Sequence, residues 1–193
     1  MQFDTFAAAM SVCDPTLEGH ATRVCSHAEA VALRLGWEGE RIDRLRLGAA
    51  LHDVGKVNVR PEVLAKPGAL DESELAEVRA HPVEGAWLIA GVRSLAPALP
   101  YVLFHHERWD GTGYPTRRAG SEIPIEGRIL AVADAFDAMT SARPYREALA
   151  FDTAIGEVER CAGTQFDPDV ALAFLDAFCS GEIVADEPVA VAV

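Results

Sequence analysis

Along most of the chain, apolar residues recur every three or four positions, the period of a helix with one buried face. Val24, Ala28, Val31, Ala32 and Leu35 form one such stripe and predict a helix ending near Gly36. Ile42, Leu45, Ala49 and Leu51 form the next, which carries His52 and Asp53 at its end, ahead of Gly55. Residues 61–68 read as a connector. Asp71 with Glu74 three positions later is a capping-box pattern that opens another helix, and His81-Pro82 breaks or kinks it before residues 86–90 continue helically. A helix is expected over 97–107, carrying His105 and His106. Residues 108–124 contain Gly111, Gly113, Pro115, Gly120 and Pro124, the punctuation of a long loop. Helices follow over 125–140 and 153–161, and Asp167-Pro168 reads as cap and first residue of a last one to about Cys179.

No alternating strand pattern of useful length and no internal repeat appears. The expectation is an all-α single domain, a rigid helical scaffold with one long functional loop. Its anticipated limits are a helical extension over 1–16, the domain proper over 17–180 and a loose tail over 181–193.

Composition narrows the picture. A chain of 193 residues, half of them hydrophobic, can bury a real core. The longest apolar runs, such as Trp87 to Val92, fall far short of bilayer thickness, so no membrane insertion is expected. The start, Met1-Gln2-Phe3-Asp4, lacks the basic region of a secretory signal. Cys13, Cys25, Cys161 and Cys179 form no CxxC pair, which reads as reduced thiols in a cytoplasmic protein. A net charge of −13 argues against binding long nucleic acid. A small anionic substrate remains compatible if metals and local cations outweigh that field, with Lys56, Arg143 and Arg146 as the candidate cations.

The candidate chemistry lies in a few segments. His105-His106-Glu107 runs into Asp110-Gly111-Thr112-Gly113-Tyr114-Pro115, His52-Asp53 is followed by Gly55-Lys56, and Asp134 sits in the apolar stretch Val132 to Phe136. With His20 and His81 added to these segments, five of the six histidines fall in the candidate motifs, and His27 alone reads as packed or exposed. Singly, His20 or His81 would more often be an ordinary surface or core histidine, and Asp53 a helix-end charge. Asp134 among Val132, Ala133, Ala135 and Phe136 differs, because a carboxylate in apolar surroundings needs a partner. Neighbouring residues leave a helix roughly 100° apart. His52 and Asp53 therefore suit two ions with Asp53 spanning them, and His105 and His106 are expected to diverge towards different ions. Mixed imidazole and carboxylate donors fit Fe, Mn or Zn and not a thiolate site.

These segments make the chain resemble the HD-GYP domain, the cyclic-dinucleotide phosphodiesterase branch of the HD metal-hydrolase superfamily. The resemblance rests on His20-x-x-Arg23-Val24, Leu51-His52-Asp53-Val54-Gly55-Lys56, Lys66-Pro67-Gly68, His81 and the His105-to-Pro115 series. It continues through 128–140, Arg143-Pro144-Tyr145-Arg146 and Gln165-Phe166-Asp167-Pro168, nearly the whole chain. It implies a helical bundle of the HD type with the loop over a metal cleft, and ligands at His20, His52, Asp53, His81, His105, His106 and Asp134. Iron is implied first and manganese second, as a pair of divalent ions. Thr16 stands where a family glutamate helps hold a third ion, which argues against three.

The activity so implied is hydrolysis of cyclic di-GMP to linear pGpG, with a second cut to GMP left open. The attacking hydroxide would bridge the metals, with Asp53 and Lys56 catalytic. Lys56, Arg143 and Arg146 would bind phosphate, while Tyr114 either packs under a guanine, reaches a phosphate or anchors the loop. Asp137 would orient Lys56 or a ligand, or be a surface charge. Glu107 would hold the loop or a ligand histidine. The loop is also an expected contact for a regulatory protein. The competing readings are a phosphodiesterase for mixed cyclic GMP-AMP and a binding module with little turnover. About fifteen residues precede the first motif, too few for a receiver or sensory domain.

Overall fold

The structure, a computed structural model, describes residues 19–142 and 147–183. The expected extension over 1–16, with Cys13 and Thr16, lies outside the described residues, as do Arg143, Arg146 and most of the tail.

Helix α1 spans His20–Arg34 and α2 spans Glu40–Leu51. Gly36, with φ of 77°, ends the first where its sequence stripe ends. A 3-10 turn, Val54–Asn58, follows α2, and one helical turn, α3 (Pro61–Leu64), interrupts the expected connector. Helix α4 (Glu72–Arg79) opens on the capping box: Asp71 accepts from the Ser73 and Glu74 amides, and Glu74 accepts from the Asp71 amide. At His81 the chain restarts as α5 (His81–Ala90), with Pro82 in the first turn, where a missing N–H costs nothing. A 3-10 stretch over Arg93–Ala98 leads into α6 (Leu99–Phe104). The long loop, with one short turn at Gly120–Glu122, precedes α7 (Ile125–Thr140), α8 (Phe151–Cys161) and α9 (Pro168–Cys179). Asp167 caps α9 by accepting from the Asp169 amide. Among the described residues there is no strand, only an isolated bridge between Ala162 and Phe166.

Helix α6 is shorter than expected, and both histidines lie beyond it. The Glu107 amide bonds to Phe104 O in a tight turn, after which the Trp109 and Asp110 amides are taken by Gln165 O and Thr164 O. The linker between α8 and α9 thus pulls the chain out of the helix.

Two apolar clusters hold the bundle. The larger joins α1, α2, α7, α8 and α9 around Phe136, which meets Phe174 at 4.9 Å between ring centroids. His27 packs edge-on against the same ring, as its sequence reading expects. The smaller gathers Leu47, Leu51, Val54, Ile89, Ala98 and Val102. Burying a large apolar side chain contributes about 1.5–3 kcal/mol. Helix α2 faces both clusters, and α6 joins it with Tyr101 in one and Val102 in the other. Their C-terminal ends are thereby fixed side by side. A close approach locks α5 beside them: a Cβ at Gly55 would stand 2.0 Å from His81 O and 2.5 Å from Gly85 N. Among the described residues no helix is long and apolar enough to cross a membrane.

Candidate metal centre

Helices α2, α4 and α6 end at one place, and each presents a histidine there. The last four carbonyls of a helix lack partners within it, and an imidazole at the end can donate to one. His52 Nδ1 lies 2.7 Å from Ala49 O, His81 Nδ1 2.7 Å from Val78 O, and His105 Nδ1 3.0 Å from Val102 O. A carbonyl only accepts, so each Nδ1 carries the proton and each Nε2 offers a lone pair. The negative ends of the α2 and α6 dipoles also favour a cation at this point.

His20 is oriented differently. Its Nδ1 donates to Asp137 Oδ2 at 2.7 Å, and Arg23 Nε donates to Asp137 Oδ1 at 2.5 Å. Asp137 is buried. Burial opposes its charge, but the hydrogen bonds from His20 and Arg23 outweigh that and hold its carboxyl down at about 2. Of the roles expected for Asp137, the geometry shows orientation of a ligand-type histidine.

The donor atoms fall into two groups that meet at Asp53. Asp53, His81, His105 and His106 form one, and His20, His52 and Asp134 the other; within each, the donor atoms lie within 4.8 Å of one another. Asp53 Oδ1 is 3.2 Å from His81 Nε2, while Asp53 Oδ2 is 3.4 Å from His52 Nε2. One carboxylate therefore turns an oxygen to each group, as its sequence position suggests. His105 and His106 do not diverge. Their rings are 4.1 Å apart and both join Asp53 and His81, because they lie in the turn after α6 and not on a continuous helix.

This arrangement fits a pair of divalent ions. His20 Nε2 and His52 Nε2 stand 3.3 Å apart, and His81 Nε2 and His105 Nε2 3.2 Å apart, each with its proton on the far nitrogen. Two lone pairs facing at that distance repel unless a positive charge, a proton or a metal ion, lies between them. Local charges point the same way. Burial opposes a charge on His52, yet Asp53 and then Asp134 push it up to about 9, so without metal a proton takes the Nε2 position that a metal ion would displace. Burial and then His81 push His106 down to about 3, and burial also holds His105 well below the usual range, which keeps both neutral as ligands must be. Counting Asp53 twice, each group offers four nitrogen and oxygen donors, which leaves positions open on a six-coordinate ion.

The remaining candidates take definite places. Lys56 Nζ lies 2.5 Å from Asp53 Oδ2. Burial alone would raise the Asp53 carboxyl, but Lys56 and His52 hold it well below the usual range. Glu107 holds the loop: its Oε1 accepts from the Thr116 amide and hydroxyl and from the Arg117 amide. Tyr114 stacks on His106 with 4.8 Å between centroids and a 27° interplanar angle. The Tyr114 amide donates to His106 O, and the Tyr114–Pro115 peptide is cis. Gly113 permits this fold-back, since a Cβ there would sit 2.4 Å from Arg108 N and 2.6 Å from His106 O. Sequence reasoning missed Arg23 as the residue that fixes Asp137, although its place one turn after His20 was a signal.

A helical bundle that draws imidazoles and aspartates from separate elements around one shared carboxylate has the architecture of an HD-type metal domain. The chain belongs to the HD domain family, whose model matches residues 5–170, and to its HD-GYP branch. Among curated proteins it is similar to the cyclic di-GMP phosphodiesterase response regulator RpfG of Xanthomonas campestris pv. campestris. The two are 40% identical over 164 residues, covering 84% of this chain and 43% of that protein. The 3'3'-cGAMP-specific phosphodiesterase 3 of Vibrio cholerae is 35% identical over 164 residues, covering 85% and 36%. Among solved structures, Bd1817, an HDG"Y"P protein from Bdellovibrio bacteriovorus, shares the fold with a TM-score of 0.67 at 20% identity, over 83% of this chain and 51% of that one. The chain spans less than half the length of these curated relatives.

Proposed function

We propose that this chain is a metal-dependent phosphodiesterase that opens cyclic di-GMP to linear pGpG, with GMP as the product of any second cut. The observation that carries this reading is the division of seven donor residues into two groups sharing Asp53. When bound, a pair of divalent ions supplies Lewis acidity and activates water for in-line displacement at phosphorus. In this reading His20, His52 and Asp134 would hold one ion with Asp53, and His81, His105 and His106 would hold the second with the same carboxylate. The backbone carbonyls behind His52, His81 and His105 keep each Nε2 aimed inward, and Arg23 does so for His20 through Asp137.

Lys56, whose ammonium lies on Asp53, would turn onto a non-bridging phosphate oxygen; its contact with Asp53 supports this reading. Tyr114, braced on His106, forms a wall against which a purine or phosphate can rest. Arg143 and Arg146 are assigned to the phosphates from the sequence alone. Iron is the first choice of metal and manganese the second, since both accept imidazole and carboxylate donors. The 111–115 loop, exposed at Thr112 and beside the exposed Thr116 and Arg117, is the surface a regulatory protein would reach. A cytoplasmic location goes with this substrate.

The test uses protein purified without oxygen, analysed for metal content, and supplied with ferrous iron or manganese. Incubation with cyclic di-GMP and with mixed cyclic GMP-AMP, followed by chromatography, should show pGpG formed faster than the mixed ring is opened. The mixed ring is the second reading, favoured by the cGAMP-specific relative; its faster turnover would reverse the substrate choice. Binding without turnover under every metal would make the chain a sensor. His52→Ala and Asp53→Ala should each abolish turnover and bound metal while helical content persists. Full metal content in either variant would refute the ligand assignment.

A further inference from the structure

We propose that Arg79 is a substrate-binding residue, the cation that receives the phosphate not being cut; this rests on the cyclic-dinucleotide reading above. Arg79 ends α4, two residues before His81, and its side chain is exposed. Its guanidinium carbon lies 5.6 Å from the centroid of the Tyr114 ring, which itself stacks on His106. Arginine, phenol and imidazole thus form a column from the rim of the cleft to the metal donors.

Arg79 has no carboxylate partner among the described residues, as is also true of Arg41, Arg93, Arg117 and Arg118; unlike Arg41 on Trp37 and Arg118 on Phe104, it lies over the ring that stacks on His106. Arg23, Arg34, Arg44, Arg46, Arg60 and Arg108 each face one within ion-pair distance. The acidic residues nearest Arg79 on its own helix are engaged elsewhere, with Glu74 on Lys66 and Glu77 on Arg60. In a chain of net charge −13, a dianionic ring meets repulsion on approach. An uncommitted guanidinium at the mouth of the cleft answers that repulsion, and its flat donor face suits phosphate oxygens.

Steady-state kinetics of metal-loaded wild type, Arg79→Ala and Arg79→Lys on cyclic di-GMP test this, with metal content measured on each. The alanine variant should raise KM about tenfold, the scale of one charge-assisted contact, with kcat within twofold and full metal content. The lysine variant should recover most of the loss, and KM should depend less on salt in the alanine variant than in wild type. An unchanged KM would overturn the proposal. So would a fall in kcat with loss of metal, which would make Arg79 a support for His106, or a lysine variant no better than alanine. If the wild type turns nothing over, the activity reading fails separately, and anisotropy of fluorescently labelled cyclic di-GMP on the same proteins decides Arg79 by the ratio of Kd values. Equal Kd values, or no binding by wild type, would also overturn it.

Discussion

Gly55→Ala tests the packing that sets the distance between the two halves of the metal centre. The added Cβ would stand 2.0 Å from His81 O, where ordinary contact begins at 3.4 Å. The obstacle is backbone, so it cannot swing aside, and the turn after α2 must separate from α5 by about 1.4 Å. Overpacking of this kind costs about 1–3 kcal/mol, a fall in Tm of roughly 2–12 °C for a domain of this size. The same displacement carries His81 away from Asp53, whose facing atoms are now 3.2 Å apart. Metal affinity should drop about 10–100-fold, as when a ligand loses its support. Gly156→Ala is the matched control: it lies inside α8 with nothing within 4 Å of the added atom. It should stabilise by about 0.5–1 kcal/mol through helix propensity and leave metal affinity alone. Thermal unfolding of the metal-free proteins and calorimetric titration with manganese measure both effects. A Gly55→Ala protein as stable and as tight for metal as wild type would refute the reasoning.

Asp137→Asn should weaken metal binding about 10–100-fold without changing the circular dichroism spectrum, because it weakens the grip on His20 Nδ1 and strips the charge that Arg23 faces; titration with manganese reads this. Asp167→Ala removes both the α9 cap and the partner of the part-buried Arg128, and should cost about 3–5 kcal/mol in urea unfolding. Asp167→Asn, which keeps the cap, should recover part of that loss. Burial, with the Glu29 charge next, pushes the Cys25 thiol up to about 11, so at pH 8 little of it is thiolate. Iodoacetamide should therefore modify exposed Cys179 well before Cys25, and Cys25 labelling should accelerate only as pH climbs towards 11, with peptide mapping as the readout.

The helices were legible where one face of the chain alternates with the other, and the Asp71 and Asp167 caps were legible from side chains that bond their own neighbours. The early end of α6 was not, because the amides that leave it are captured by Gln165 and Thr164, more than fifty positions away. The same turn explains why His105 and His106 share a group, an outcome a continuous helix would forbid. That the Asp53 oxygens face two groups follows a cue visible in the sequence, the roughly 100° between neighbouring side chains on a helix. The partner of Arg23 could not be read there, since Asp137 lies 114 residues on. Gly85 inside an apolar helix was a visible sign of close backbone approach, but only the fold shows that the neighbour is Gly55.

If Asp53 serves two cations, as proposed, the sharing has a consequence for how the centre fills. The first ion to arrive draws on the whole negative charge of Asp53, and the second meets both a depleted donor and a like charge a few ångströms off. Loading should then spread over a wider span of metal concentration than independent sites would give. If catalysis needs both positions, output follows the weaker of the pair, and the domain answers to the supply of metal.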